Sequence, residues 1–219
     1  MMKRLLFLAL AACWMAGATA QAQNKYCKSY DDFVNDRWLP LDTVMVEQRS
    51  HSKKFWNGND FNLVTGDKDT DQRLKKGAFA VMLGDSIYVN CRRLQRQKEV
   101  LRPGYAVALR YEGDKLCFVN RRWGHDELVD EMGAQLMFGL VGQAMQRRSS
   151  IKDRVCYVID PEPLKNGYYE AVLVNDNFMD VVLKDDAALL EQYRVEPKKK
   201  KRTAAERVLP ILREKGLVK

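Results

Sequence analysis

Apolar and polar positions alternate most clearly in the middle of the chain. Ala78 to Leu83 (AFAVML) and Ser86 to Cys91 (SIYVNC) are apolar or alternating runs separated by Gly84-Asp85. A two-residue connection with glycine suits a tight hairpin, because glycine takes positive φ without a Cβ penalty. The design recurs where Tyr105 to Tyr111 and Lys115 to Asn120 flank Glu112-Gly113-Asp114. Two consecutive hairpins predict an antiparallel meander. Strand patterns also occur at Asp42 to Glu47, Phe61 to Val64, Arg154 to Asp160 and Tyr168 to Val174, with Pro161 and Pro163 stopping the third of these.

Between the fourth and fifth apolar blocks the period changes. From His125 to Arg147, the residues Leu128, Met132, Leu136, Leu140 and Met145 recur at helical spacing. Asp126, Glu127, Asp130 and Glu131 lead, and Arg147-Arg148 close, which is the order a helix dipole favours. The uncharged stretch Met132 to Gln146, thinned by Gly133, Gly139 and Gly142, is expected to pack on the sheet. The same small-residue surface would suit self-association with a second copy. It is too short to span a bilayer.

Shorter helices are expected elsewhere. Ser29 and Asp32 form a capping-box pattern for a helix reaching Trp38, before Pro40. Phe178, Met179, Val182 and Leu183, then Leu189, Leu190 and Tyr193, make two short stripes, with Asn177 and Asp185 or Asp186 as N-caps. Thr203-Ala-Ala-Glu206 reads as a capping box for a last helix that Pro210 begins or bends. The polar stretch from Arg49 to Lys76, with turn signals at Asn57-Gly58 and Gly66-Asp67, reads as loops around one strand. The expected fold is α+β: an antiparallel meander of two hairpins plus further strands, packed with one apolar helix, and short C-terminal helices. Residues 24–195 would form one domain, and 196–219 a basic linker with a C-terminal helix.

The N-terminus adds a compartment. Lys3 and Arg4, an apolar run from Leu5 to Ala12, and small residues at Ala18, Ala20 and Ala22 make a three-part secretory signal, with cleavage after Ala20 or Ala22. The apolar run is far below the ~20 residues of a spanning helix. Leu10-Ala11-Ala12-Cys13 offers an alternative, a lipobox that would make Cys13 a lipidated first residue of an outer-membrane lipoprotein. Removal of the signal leaves ample chain for one domain, and the net charge of +8 falls to +6 with the loss of Lys3 and Arg4. The hydrophobic share of 46% and charged share of 30% exclude wholesale disorder. Periplasmic or secreted location leaves Cys27, Cys91, Cys117 and Cys156, for which an oxidising compartment favours pairing in one of three connectivities. The apolar strands around Cys91, Cys117 and Cys156 favour burial as reduced thiols instead.

Apparent chemical motifs fail on spacing or context, so no catalytic residue, metal or cofactor is expected. Leu83-Gly84-Asp85-Ser86-Ile87 resembles the nucleophile block of GDSL esterases, but Gly58-Asn59-Asp60 precedes the serine and Arg122, not Asp, stands three residues before His125. A hydrolase using Ser86, or one of the cysteines, with His125 is the alternative to a binding role. Asp67-x-Asp69-x-Asp71 imitates a calcium loop, yet Gln72 and Ala78 occupy the places that need Gly and Glu. It reads as a solvated acidic turn. The run Lys198, Lys199, Lys200, Lys201 and Arg202 can contact an anionic surface, each cation adding about 1 kcal/mol near such a surface.

Phe33-Val34 through Val44, Gly66-Asp67-Lys68, Asp85 to Arg92, Gly104-Tyr105-Ala106, Leu116 to Val119 and Tyr157 to Asp160 carry a resemblance over nearly all of the exported chain. They resemble a family of exported Bacteroidetes proteins known only as a domain of unknown function. The resemblance implies an envelope location and supplies no catalytic residues. With the basic excess, this points to a non-catalytic envelope protein whose partner is another envelope protein or an anionic envelope surface.

Overall fold

The structure is a computed structural model that describes residues 24–50, 59–123 and 154–219. Its centre is the expected meander. Strands β5 (Ala80–Leu83), β6 (Ser86–Asn90), β9 (Tyr105–Tyr111) and β10 (Lys115–Arg121) pair antiparallel with β11 (Arg154–Pro163) and β12 (Tyr169–Leu173). On the outer side of β5 lie β1 (Lys25–Cys27) and β2 (Leu39–Pro40), while β3 (Met45–Gln48) pairs with β4 (Phe61–Val64), which touches β9. The sheet continues from β12 to β7 (Leu94–Arg96), the sole parallel pair among the described residues, and ends at β8 (Glu99–Val100). Among the described residues this is a mixed α+β fold on a mostly antiparallel sheet of 12 strands.

Chain connectivity forces the sheet to curl. β6 and β7 are joined by a single 3-10 turn, Cys91–Arg93, yet stand five places apart in the strand order β6-β9-β10-β11-β12-β7. Laid flat, those places would separate them by roughly 24 Å, more than a three-residue connection of about 10 Å can reach. The inner core reflects the curling, for Val89, Leu94, Ala106, Leu116, Phe118, Tyr157 and Ala171, from every strand of that order, join one cluster. Phe118 and Tyr157 stack at 5.3 Å inside it.

Strict alternation puts the other face of the same strands into separate cores. Along β10, Leu116 and Phe118 face inward, whereas Cys117 joins Val158, Met179, Tyr193 and Leu212 outside. That outer layer is built by α3 (Asp176–Val182), α4 (Ala187–Arg194) and α6 (Ala205–Glu214). A third cluster, with Leu63, Leu74, Val81 and Tyr105, lies under helix α2 (Lys68–Gly77). The apolar helix expected over His125 to Arg147 falls outside the described residues.

Several local expectations change. Helix α1 (Tyr30–Val34) is capped by Ser29 as expected, its Oγ accepting from Asp32 N at 3.0 Å, but it stops before Trp38 because the chain turns at Asp36, with φ 52. The stretch 68–77 is helix α2, not loop. Asp67 accepts from Thr70 N, acids lead and Lys75 and Lys76 close, but Leu74 alone is buried, so no apolar stripe announces the helix. The acidic triplet is therefore a helix start: Asp67 is the cap, and Asp71 Oδ1 accepts from the Thr65 amide and hydroxyl. Asn175, not Asn177, caps α3, while Asp186 caps α4 as one of the two expected alternatives. The Thr203 capping box does not form, since Ala204 is the N-cap and Thr203 Oγ1 instead donates to Lys199 O and accepts from Arg122. β11 runs on through Pro161 and Pro163 with a register shift, which exposed positions at the end of a strand permit.

The C-terminal segment is an integral part of the body. Val218 bridges to Tyr111, Glu112 N donates to Leu217 O, and α6 supplies Val208, Ile211 and Leu212 to the outer core. Within this segment the basic run itself is helical over Lys199–Arg202. No disulfide joins the described cysteines; Cys27, Cys91, Cys117 and Cys156 are free and buried. Cys117 and Cys156 sit on adjoining strands and share a hydrogen bond. Burial pushes the Cys27 thiol up to about 12, and those of Cys91 and Cys156 rise above their ordinary value. Because the thiolate is the reactive form and all four side chains are buried, these thiols should resist iodoacetamide in the native protein and alkylate fully in denaturant. Rapid native labelling at any of them, read by peptide mass, would show that its core opens.

Candidate functional site

The basic run folds into a short helix, α5 (Lys199–Arg202), with Lys198 as N-cap. Its last residue anchors it. Arg202 donates from Nε and Nη2 to the two Asp176 carboxylate oxygens, both at 2.9 Å, and from Nη1 to Glu196 O at 2.9 Å. Tyr193 completes the cluster by donating its hydroxyl to Asp176 Oδ1 at 2.8 Å. The Arg202 guanidinium, chiefly, and the Tyr193 hydroxyl hold the Asp176 carboxyl down at about 2. Burial and the Asp176 carboxylate push the Tyr193 hydroxyl up. Arg202 is therefore committed to the fold, and the four lysines Lys198 to Lys201 are the exposed part of the run.

Behind these lysines lies a cleft of about 810 Å³ between α5, α6 and the outer face of β10 and β11. Lys198, Lys200, Lys201, Arg154 and Arg213 line it, against a single acid, Glu206, over an apolar floor that includes Val119, Leu209 and Pro210. Arg154 is held in place by a two-pronged ion pair to Asp60 and by donation to Val119 O at 3.2 Å. β11 is fixed to the helices by a backbone bridge between Val155 and Ala204. Lys199 does not line the cleft. Sequence reasoning missed Arg154 and Arg213, which stand apart from the basic run in the chain and join it only through the packing of α6 on β11.

The arrangement is suited to holding anions. Its charged side chains are five cations and one carboxylate, set over hydrocarbon. Ser86 stands exposed at the start of β6, where Leu83 pairs with it across the two-residue turn, and both His51 and His125 lie outside the described residues. The cysteine alternative meets raised thiols at Cys27, Cys91 and Cys156, the opposite of an activated nucleophile. Among the described residues no group of three His, Cys, Asp or Glu side chains could hold a metal. No helix among them is long and apolar enough to cross a membrane. The stretch Met132 to Gln146, expected to self-associate, is likewise outside the described residues.

Residues 25–219 match the model of a family described as a family of unknown function, DUF6563. No curated protein and no solved structure matches the chain.

Proposed function

The chain belongs to the DUF6563 family of unknown function, and from that premise we propose that it is an exported, non-catalytic envelope protein that docks on phosphate-bearing anionic surfaces through Lys198, Lys200 and Lys201. The observation that carries this reading is the cleft in which those lysines meet Arg154 and Arg213 with one opposing acid. Export is supported by the basic, apolar and small-residue succession from Lys3 to Ala22, and it would place the protein beside lipid and lipopolysaccharide phosphates. A rigid mount favours docking, because the Arg202 clasp on Asp176 orders α5 before any partner arrives.

The test is co-sedimentation of the signal-free protein with vesicles containing phosphatidylglycerol, against vesicles of phosphatidylcholine alone. Each cation near an anionic surface contributes about 1 kcal/mol, so replacing Lys198, Lys200 and Lys201 with glutamine should lower partitioning by roughly one to two orders of magnitude. The remaining attraction should fall with added salt. Equal partitioning of the triple variant and the parent, or no preference for the anionic vesicles, would sink the reading.

A further inference from the structure

A second cluster of cations lies elsewhere and shares no lining residue with the first. Lys75 and Lys76 end helix α2, Arg92 and Arg93 occupy the 3-10 turn after β6, and Arg102 follows β8. All five line one cleft of about 560 Å³, whose far wall is the loop holding Asn166 and Tyr168. Asn90 brings the two dibasic pairs together. Buried beneath them, it donates to the carbonyls of Leu74, Lys75 and Ala78 and accepts from Arg92 N, which staples the helix end to the turn. The opposite wall is pinned as well, by Asn166 donating to Gln95 Oε1 at 2.8 Å.

No acidic side chain among the described residues lines this cleft. The side chains of Lys75, Lys76, Arg92 and Arg93 make no ion pair with any described residue, whereas Arg102 has its own partner. Arg93 Nε is buried with no hydrogen-bond partner among the described residues, and an unmet buried donor disfavours the state that contains it. The field of the cluster reaches beyond the cleft, since Arg49 is lowered from its ordinary value by burial first and by the Arg92 charge second. Like charges held together in this way repel, and an oxyanion relieves the repulsion. Arginine pairs suit tetrahedral oxyanions in particular, because each guanidinium offers two parallel donors. The cleft is larger than a bare oxyanion requires and falls in the range of small-molecule sites.

We infer that the cleft formed by Lys75, Lys76, Arg92, Arg93 and Arg102 binds a phosphate or sulfate ester on a small carrier such as a sugar. The ester oxygens meet the guanidinium groups of Arg92 and Arg93, the two lysines supply further positive charge from the end of α2, and the carrier lies toward Tyr168. The site does not depend on the docking surface proposed for Lys198 to Lys201, and its test keeps the two apart.

The signal-free protein is titrated by calorimetry with galactose phosphate, galactose sulfate, inorganic phosphate, inorganic sulfate and galactose. Saturable binding of one galactose ester, with galactose itself inert, is expected, and whichever ester binds more tightly identifies the phosphate or the sulfate source. Arg92→Gln with Arg93→Gln should weaken that binding by about ten-fold or more, while the glutamine variant at Lys198, Lys200 and Lys201 should bind as the parent does. Lys75→Gln with Lys76→Gln provides the same comparison should the arginine variant fail to fold. Binding confined to the inorganic ions, no saturable binding at all, or unchanged ester affinity in a folded variant of either pair would overturn the assignment.

Discussion

Asn90→Ala is expected to lower the stability of the folded protein by about 3 kcal/mol, with a fall in melting temperature of roughly 6–12 °C. Asn90 is 1% exposed, and its amide donates to three carbonyls at 2.8 to 3.1 Å while its oxygen accepts from Arg92 N at 3.1 Å. Alanine removes all four contacts at once. The Ala78 carbonyl loses a buried partner that solvent cannot simply replace, at about 1–3 kcal/mol, whereas the Leu74 carbonyl keeps the Tyr105 hydroxyl at 2.7 Å and loses less. The Lys75 contact is part-buried, so water recovers some of it, and these smaller losses added to that of Ala78 bring the total to about 3 kcal/mol. Asn90→Asp should be worse at neutral pH, because a carboxylate would face three carbonyl oxygens, and should partly recover in acid as it gains a proton. Urea denaturation checks both variants. A loss for Asn90→Ala below about 1 kcal/mol would show that the helix end and the basic turn stay together without the bridge.

Asp176→Asn is expected to cost about 2 kcal/mol at neutral pH. The carboxylate receives two bonds from Arg202 and one from Tyr193, and the Arg202 and Asp176 side chains are 11% and 17% exposed, so solvent screens the pair only weakly. The direction with pH follows from Asp176 titrating at about 2 in the fold against an ordinary 3.8. A carboxyl lowered in the folded state stabilises the fold above its unfolded value and loses that contribution as pH falls through the folded one. The gap between parent and variant should therefore be full above pH ~4 and close toward pH ~2. Urea titrations repeated across this range read it directly. A gap that stayed constant down to the lowest pH would mean that lost packing, and not the ion pair, causes the effect.

Reading the pattern of this chain worked where the interactions are local. The Gly84-Asp85 hairpin forms with Leu83 opposite Ser86, and the Glu112-Gly113-Asp114 hairpin forms with Tyr111 opposite Lys115. Ser29 and Asp186 act as N-caps because a cap needs only the amide three residues on. Helix α2 escaped notice because the apolar period is the main signal of a helix, and this one buries a single leucine under an otherwise polar surface. Its caps and its charge order were visible, but the acidic triplet also fitted a turn. The Thr203 capping box fails for a tertiary reason, since its hydroxyl is taken by Lys199 O and by Arg122, which follows β10 and is 81 residues away in the chain.

The candidate sites divide in the same way. Lys198 to Arg202 could be seen as a charged run, yet nothing in the run distinguishes Arg202, whose partner Asp176 is 26 residues away. Lys75-Lys76, Arg92-Arg93 and Arg102 were ordinary surface cations until Asn90 and the curled sheet set them around one cleft. By itself the sequence determined the α+β class, the two hairpins and the alternation that gives β10 and β11 two buried faces, because strand period and turn geometry act over a few neighbouring residues. The tertiary structure alone decided the closing of the sheet by β7 on β12, the burial of the cysteines as free thiols, and which cations meet, because these depend on contacts between segments that the chain order does not bring together.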